Sequence, residues 1–180
     1  EEMVLNVGVA YKIPAVALRY FNVYGTRQSL SNPYNGVVAI FMSRIKNNKP
    51  PVINEDGLQT RDFIHISDVT AANISSLEED GSNYQSFNVG SGQPTTIKEI
   101  AETLCKIYKS KKKPDITGKT RKLDVRHCYA DISKIEKLVG WKPKMDLNDG
   151  LSEVVSWAYK EESVDKLDFA MNELAKRGLR

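Results

Sequence analysis

Short apolar runs alternate with stretches of helical apolar spacing along this chain, and that order limits the folds open to it. Four runs have strand character: 15–21, 52–53, 63–66 and 86–89. Helical spacing covers 1–11, 37–45, 69–78, 97–108, a short segment closed by Gly140, 147–162 and 164–177. Strands that alternate with helices predict a largely parallel sheet, and 180 residues suffice for one domain or part of a larger one. We therefore predict an α/β fold.

Polar residues predict where several of these helices begin. Ser, Thr and Asp are preferred N-caps because their side chains accept hydrogen bonds from the first free backbone N–H groups. The candidate caps are Ser67 or Asp68, Thr95 or Thr96, and Asp131 or Ser133. The loop 25–36, rich in Gly, Asn and Pro, separates the first strand from the next helix.

The run 15–21 indicates a ligand crevice at its end. Its apolar content is interrupted by Arg19, which is typical of a largely buried parallel strand, and we interpret Arg19 as a buried structural arginine. Ligands of open parallel sheets bind beyond the carboxyl ends of the strands. Asn22 is therefore a candidate to point its amide into a crevice, unless it simply terminates the strand.

Two arginines outside the apolar runs are candidates for binding a diphosphate. Arg61 comes at the start of a predicted strand, next to Asp62, which could orient it or close the turn. Arg121 precedes Asp124 by three residues. A guanidinium is a planar fork of donors that matches phosphate oxygens. The alternative for the first arginine is an Arg-Asp surface pair worth at most ~1 kcal/mol.

Composition argues against several other classes of protein. The formal net charge of +3 is too small to indicate nucleic acid or membrane, and no apolar run reaches the ~18 residues of a membrane span. Eight basic residues crowd 106–122, where the aromatic content is only Tyr108, so stacking platforms for nucleic acid are missing. The alternative is a solvated basic loop. Cys105 falls on an apolar helix face, which weakly indicates a reducing cytoplasm.

No catalytic or metal-binding constellation is recognisable. We expect His65 to be a core or supporting histidine. His127 could touch a substrate or merely pack, and we favour packing; the two cysteines show no metal spacing. Gly90 and Gly92 lack the third glycine of a dinucleotide fingerprint. Tyr108 and Lys112 have Tyr-x-x-x-Lys spacing, but they lie in a lysine-rich tract where such spacing arises by chance.

Five runs in order resemble the extended short-chain dehydrogenase/reductase superfamily, specifically its nucleotide-sugar epimerases and dehydratases. They are Leu-Arg-Tyr-Phe-Asn-Val-Tyr-Gly-Thr-Arg-Gln at 18–28, Gln-Thr-Arg-Asp-Phe-Ile-His-Ile-Ser-Asp-Val at 59–69, Phe-Asn-Val-Gly-Ser-Gly at 87–92, Arg-Lys-Leu-Asp-Val-Arg-His-Cys-Tyr-Ala-Asp-Ile-Ser-Lys at 121–134 and Leu-Val-Gly-Trp-Lys-Pro at 138–143. The stretch 29–41 looks most like a subgroup that includes UDP-glucose and dTDP-rhamnose 4-epimerases.

The resemblance implies roles for individual residues. Tyr20 would lie beside the nicotinamide, and the substrate-binding set would be Asn22, Gly36, Val37, Val52, Asn54, Arg61, Arg121 and Asp124. Within that set the two arginines would bind the diphosphate and Asp124 the ribose. The chain departs from the usual pattern at Thr26, Glu55 and 122–123, which makes the contacts to the base uncertain.

By the same resemblance, the parent would be an NAD-dependent nucleotide-sugar 4-epimerase acting on a UDP- or dTDP-sugar. A 4,6-dehydratase, or a protein that binds a nucleotide sugar without catalysis, remains open. The family's Tyr-x-x-x-Lys and glycine-rich loop would precede Glu1, where the helical pattern begins without a cap. We therefore expect a trimmed chain, with no catalytic residue of its own and NAD bound mainly by the other half.

The expected organisation has two lobes. Residues 1–28 would end a Rossmann-like NAD-binding domain, and 29–162 would form mainly a smaller α/β substrate-binding domain. Residues 61–105 would partly return to the Rossmann-like sheet, and 163–180 would form a helical tail. We further expect a cytoplasmic protein whose parent is a homodimer, with no nucleic-acid, membrane or metal partner.

Overall fold

The structure, a computed structural model, describes residues 1–120 and 124–177 and confirms the mixed α/β fold. The helices are α1 (Glu2–Tyr11), α2 (Val37–Lys46), α3 (Ile66–Glu78), α4 (Ile97–Ile107), α5 (Ser133–Val139), α6 (Leu147–Ala158) and α7 (Leu167–Lys176), with a 3₁₀ turn at Asp80–Ser82. The strands are β1 (Val16–Tyr20), β2 (Asn22–Tyr24), β3 (Val52–Ile53), β4 (Thr60–His65), β5 (Gln85–Val89), β6 (Pro94–Thr96), β7 (Asp115–Ile116) and β8 (His127–Cys128).

Most strand pairs are parallel, as the alternating pattern predicts. β1 pairs with β5, β2 with the second half of β4, and β3 with β7, all in parallel. The first half of β4 has an antiparallel neighbour, β6, and a parallel neighbour, β8. Thus β4 joins segments that are about 30 to 70 residues apart in the chain.

Two hydrophobic clusters pack against opposite faces of β4. Phe63 belongs to a cluster built mainly by α2, α4 and α6, whereas Ile64 belongs to one built by α3, α5 and β5. Successive side chains of a strand point to opposite faces, so β4 is covered on both sides. Burying one such side chain contributes about 1.5–3 kcal/mol to stability. The apolar residues of β4 therefore fix the strand, and with it the polar residues that the strand carries.

The start of α3 differs from the sequence expectation. Neither Ser67 nor Asp68 is the N-cap; His65 is, and its side chain accepts a hydrogen bond from the backbone N–H of Ser67. The strand runs directly into the helix, so the cap position falls on the last strand residue. Asp68 is instead buried and accepts from the backbone N–H groups of Lys144 and Met145.

Other expected helix boundaries shift by a few residues. Thr96 caps α4 in a capping box with Glu99, as expected. The helix α5 begins at Ser133, with Asp131 accepting from the Ser133 N–H. The last two helices, α6 and α7, are shorter than the predicted 147–162 and 164–177, because residues 159–166 form a connecting segment.

The interpretation of Arg19 as buried is wrong. Its side chain is 53% exposed and forms an ion pair with Glu1, and β1 is half-buried with two exposed residues at its end. The pair holds the pKa of the Glu1 carboxyl below its usual value through the Arg19 hydrogen bond. The apolar content of the run therefore led us to overestimate the burial of this strand.

Among the helices in the described ranges, none is both long and apolar enough to cross a membrane.

Candidate functional site

The guanidinium of Arg61 is fixed at the start of β4 by three hydrogen bonds. It donates to Asp124 Oδ1 at 2.6 Å, to the Thr60 carbonyl at 2.7 Å and to the Arg126 carbonyl at 3.4 Å. The side chain is 15% exposed, and its strand begins three residues earlier than the predicted 63–66. A guanidinium has five N–H donors, so its contacts with the described residues leave two for a ligand. Arg61 is therefore oriented in advance and still has donors to offer an anion.

Asp62 plays a different part from the one expected. It does not orient Arg61; it is fully buried and accepts from Ser91 N, Ser91 Oγ, Gly92 N and Ala130 N at 2.6–3.0 Å. These four bonds join the turn after β5 and the chain after β8 to β4. A carboxylate can accept this many bonds because each oxygen has two lone pairs. Asp62 thus stabilises the framework next to Arg61.

Asp124 reaches Arg61 because β8 runs parallel to β4. Thr60 and Arg61 pair with His127 and Cys128, and the Thr60 N–H donates to the Arg126 carbonyl. His127 is exposed and lies 2.9 Å from Thr60 Oγ1 through its Nδ1, so the favoured prediction that it merely packs is wrong. The ladder fixes the register that brings Asp124 to Arg61.

Arg126 is a component of the site region that the sequence reasoning missed. It donates to both oxygens of Asp56 at 2.8 and 2.7 Å and to Glu55 at 3.0 Å. The Arg126 hydrogen bond holds the pKa of the Asp56 carboxyl well below its usual range, and the same bond raises the pKa of Arg126. Arg126 lies in the run Asp-Val-Arg-His, two residues after the candidate Asp124, and this proximity is the feature of the sequence from which it could have been identified. The pair anchors the turn 54–57 to the chain before β8.

The turn 54–57 carries backbone strain at Glu55, which has a φ of 52°. This is the position where the family resemblance leads us to expect glycine, the residue that adopts positive φ without a steric penalty. The Glu55 N–H donates to the Lys119 carbonyl, and its carboxylate accepts from Arg126. Those contacts hold a non-glycine residue in the turn.

The N-terminus of α2 lies on the same face of β4 as Arg61. Val37 packs against the cluster that contains Phe63, and Arg61 and Phe63 share a face because they are two residues apart. Gly36 is the exposed N-cap, with no side-chain cap bond and no acidic residue in the first turn. Free N–H groups and the helix dipole make such an end suitable for an anion.

Asn22 also belongs to this face. It begins β2 and lies opposite Phe63, so its side chain points to the side of the sheet that Phe63 and Arg61 occupy. It is half-buried, and no side-chain hydrogen bond joins it to another residue of the described ranges. Its amide is therefore available to a ligand.

The remaining predicted site residues lie at varied distances from this arrangement. Val52 is half-buried in β3, and Asn54 is the first residue of the turn that Arg126 anchors. Tyr20 ends β1 with 47% exposure, and its hydroxyl donates to Asn73 Oδ1 at 2.8 Å. Arg121 lies outside the described residues.

Groups for catalysis are sparse in this region. Within the described ranges no group of three or more His, Cys, Asp and Glu side chains could hold a metal ion. His65 is buried as expected, with its ring against Tyr24 at 5.3 Å between centroids, and it caps α3. The described arrangement can bind and orient an anionic ligand.

Tyr108 does not pair with Lys112. Its ring packs on Tyr159 with 5.2 Å between centroids, and burial raises the pKa of its hydroxyl. Lys112 is exposed. The structure therefore agrees with the interpretation that this Tyr-x-x-x-Lys spacing arises by chance.

Known proteins resemble this chain over most of its length. The dTDP-L-rhamnose 4-epimerase of Burkholderia thailandensis is 38% identical over 162 residues, which are 89% of this chain and 44% of the relative. This chain thus spans about half the length of the curated relatives it matches.

Solved structures share the fold at similar coverage. The UDP-glucose 4-epimerase of Thermotoga maritima, solved with UDP-glucose, aligns with a TM-score of 0.80 and 36% identity over 88% of this chain and 50% of that one. The UDP-glucuronic acid 4-epimerase of Bacillus cereus, solved with UDP-glucuronic acid and NAD, gives 0.77 and 30% over 88% and 50%.

The family described as GDP-mannose 4,6 dehydratase matches residues 1–154. This match covers α1 through the first two thirds of α6 and every described residue of the candidate site. The chain therefore belongs to that family, within the epimerases and dehydratases of the extended short-chain dehydrogenase/reductase superfamily.

Proposed function

We propose that this chain is the nucleotide-sugar-binding half of an NAD-dependent 4-epimerase acting on UDP- or dTDP-sugars. The observation that carries the proposal is the oriented Arg61 guanidinium, with two donors that the described residues do not use, on the face of the sheet where Asn22 and the N-terminus of α2 also lie. The relatives named above are 4-epimerases, and two of them were solved with UDP-sugars.

In this proposal the substrate diphosphate lies between Arg61 and the N-terminus of α2. The free guanidinium donors bind one phosphate in a bidentate manner, and the N–H groups at Gly36 and Val37 receive the other. Asp124 keeps the Arg61 plane in place and lies where it can also accept a ribose hydroxyl. Arg121 would add a second guanidinium.

The turn 54–57 and β3 would hold the base. Asn54 offers its side-chain amide at the start of the turn, and Val52 offers an apolar contact. The Arg126 bonds to Asp56 and Glu55 fix the turn, so Asn54 is positioned without the usual glycine. These contacts would anchor the nucleotide while the sugar turns between two orientations.

NAD, when bound, would take a hydride from sugar C4 and return it to the other face. Tyr20 fits a place beside the nicotinamide, because its ring is 47% exposed at the end of β1 while Asn73 holds its hydroxyl. We propose no acid or base from this chain, and expect these residues to bind and orient the reactants.

A 4,6-dehydratase is the second candidate, and the name of the matching family favours it. Both reactions begin with oxidation at C4, so the binding half is expected to be similar. Product analysis separates them: an epimerase returns a sugar of unchanged mass, whereas a dehydratase releases water.

We also propose that the parent enzyme is a homodimer. The helix α1 supports this, because it exposes a row of apolar side chains to solvent: Met3 at 76%, Val7 at 47% and Tyr11 at 73%. An uncovered surface of this kind is typical of an interface.

The test is calorimetry with UDP-glucose on the full-length parent and its Arg61→Ala variant. Loss of a charged bidentate contact is expected to weaken binding by about 2–4 kcal/mol. The matched control is Arg19→Ala, which removes another arginine–carboxylate pair outside the site and is expected to leave affinity unchanged. Equal affinity of the Arg61 variant and the parent would refute the proposed diphosphate contact.

A further inference from the structure

A basic groove lies outside the proposed nucleotide site, along one side of α4. It has a volume of about 670 Å³ and runs between the helix and the segment 109–116. Lys98, Glu102 and Lys106 line the helix side, and Lys109 with 111–113 lines the other. From Lys98 to Lys106, the helical rise gives a length of about 12 Å. We call this feature the lysine groove.

Most of the positive charge of the lysine groove is not neutralised by carboxylates of the described residues. Five lysines fall among the eight residues 106–113, and none of them is in an ion pair with a described carboxylate. Lys98, the sixth lysine of the groove, lies 3.9 Å from the carboxylate of Glu102. Like charges at helical spacing and in adjacent positions repel one another, so an anionic occupant would relieve that repulsion.

The groove also offers apolar surface and an open strand edge. Ile116 is 45% exposed and lines the groove with Cys105 and Pro114. The N–H groups of Asp115 and Thr117 donate to carbonyls of the chain around β3, at Pro51 and Ile53. Because backbone groups alternate in direction along a strand, the N–H and C=O of Ile116 point away from β3.

We propose that the lysine groove binds an extended acidic segment of a partner protein, added as a strand beside β7. The backbone of Ile116 would pair with the segment, apolar residues would cover Ile116 and Pro114, and alternate carboxylates would face the lysines. At about 3.3 Å per residue, the groove accommodates about four residues in extended form.

Other anionic partners fit the groove less well. Single-stranded nucleic acid favours aromatic platforms, and no aromatic ring is among the described residues that line the groove. An anionic bilayer presents a broad surface, whereas these lysines border a concave groove. The proposal is independent of the nucleotide-sugar assignment, because it concerns different residues.

The test measures binding of a fluorescein-labelled peptide of about seven alternating Glu and Val residues to the whole chain by fluorescence anisotropy. The groove variant replaces Lys111, Lys112 and Lys113 with Gln. The control variant replaces Lys12, Lys160 and Lys166 with Gln, which makes the same charge change at exposed positions elsewhere. A peptide of equal composition, with all Glu residues before all Val residues, tests the requirement for alternation.

We expect the alternating peptide to bind at low salt, with about tenfold loss in the groove variant and less than about twofold loss in the control variant. The block peptide is expected to bind more weakly than the alternating one. Absence of binding, equal losses in the two variants or equal affinity of the two peptides would overturn the proposal. So would tighter, groove-dependent binding of an oligothymidine or of phosphatidylglycerol vesicles.

Discussion

Replacement of Asp62 by Asn probes the framework that presents Arg61. Asp62 is fully buried and its two oxygens accept four hydrogen bonds, two on each oxygen. An asparagine keeps one oxygen and turns an NH₂ group toward the donors of the other. At least two bonds to a charged acceptor are lost, each worth about 1.5–3 kcal/mol, and the donors stay buried. Relief of the carboxylate's own desolvation offsets part of this loss.

We therefore expect Asp62→Asn to lower the free energy of unfolding by about 3 kcal/mol, measured by urea denaturation. For a chain of this length, that corresponds to a fall in Tm of about 10 °C. The control is Asp149→Asn, an exposed residue in the first turn of α6, for which about 0.5 kcal/mol or less is expected. A loss below about 1 kcal/mol in the Asp62 variant would show that these bonds do not support β4 as reasoned.

Three further outcomes are expected. Burial, followed by the effect of nearby carboxylates, raises the pKa of the Tyr24 hydroxyl in the folded state, so folding is disfavoured as pH rises above the ordinary tyrosine pKa. The free energy of unfolding of the parent chain, measured in urea, should therefore fall relative to that of Tyr24→Phe through the alkaline range, and a constant difference would contradict this. Asp165→Ala should lower the free energy of unfolding by about 2–3 kcal/mol, because Arg44 stays buried with one carboxylate fewer. Glu173→Ala, which removes a more exposed ion pair, should lower it by about 0.5 kcal/mol or less. Equal losses of the two variants in urea denaturation would refute the distinction. This chain alone should not interconvert UDP-glucose and UDP-galactose in a coupled assay, and turnover by pure protein would show that it carries catalytic groups of its own.

Local patterns in the sequence predict the local parts of this fold. The capping box at Thr96 and the core position of Cys105 follow from spacing within a single helix. The short strand at 52–53 and the helix that begins at Val37 also appear where predicted. Each of these features depends on residues a few positions apart, which a sequence displays directly.

Features that depend on distant residues were predicted less well. Arg19 is exposed because its partner is Glu1, and Asp62 is occupied by backbone groups at 91, 92 and 130 rather than by its neighbour. The cap of α3 falls on His65 because strand and helix join without a loop, although Ser67 has the better intrinsic preference. The pairing of β8 with β4 places Ala130 beside Asp62, and a register between two remote segments cannot be read from either segment alone.

The same reasoning applies to the candidate site. The sequence identified Arg61 and Asp124, and the structure joins them at 2.6 Å. It did not identify Arg126, whose partners Asp56 and Glu55 lie about 70 residues earlier. The domain boundaries and the ligand contacts of the site residues remain predictions.

Backbone amide chemical shifts of this chain, followed by NMR as UDP-glucose is added, test most directly where a nucleotide sugar binds. We predict that the largest changes fall at Gly36, Val37, Asn54, Arg61 and Asp124, with little change along the lysine groove. Saturating changes confined to residues away from this face of β4, or no changes at all, would contradict the nucleotide-sugar site.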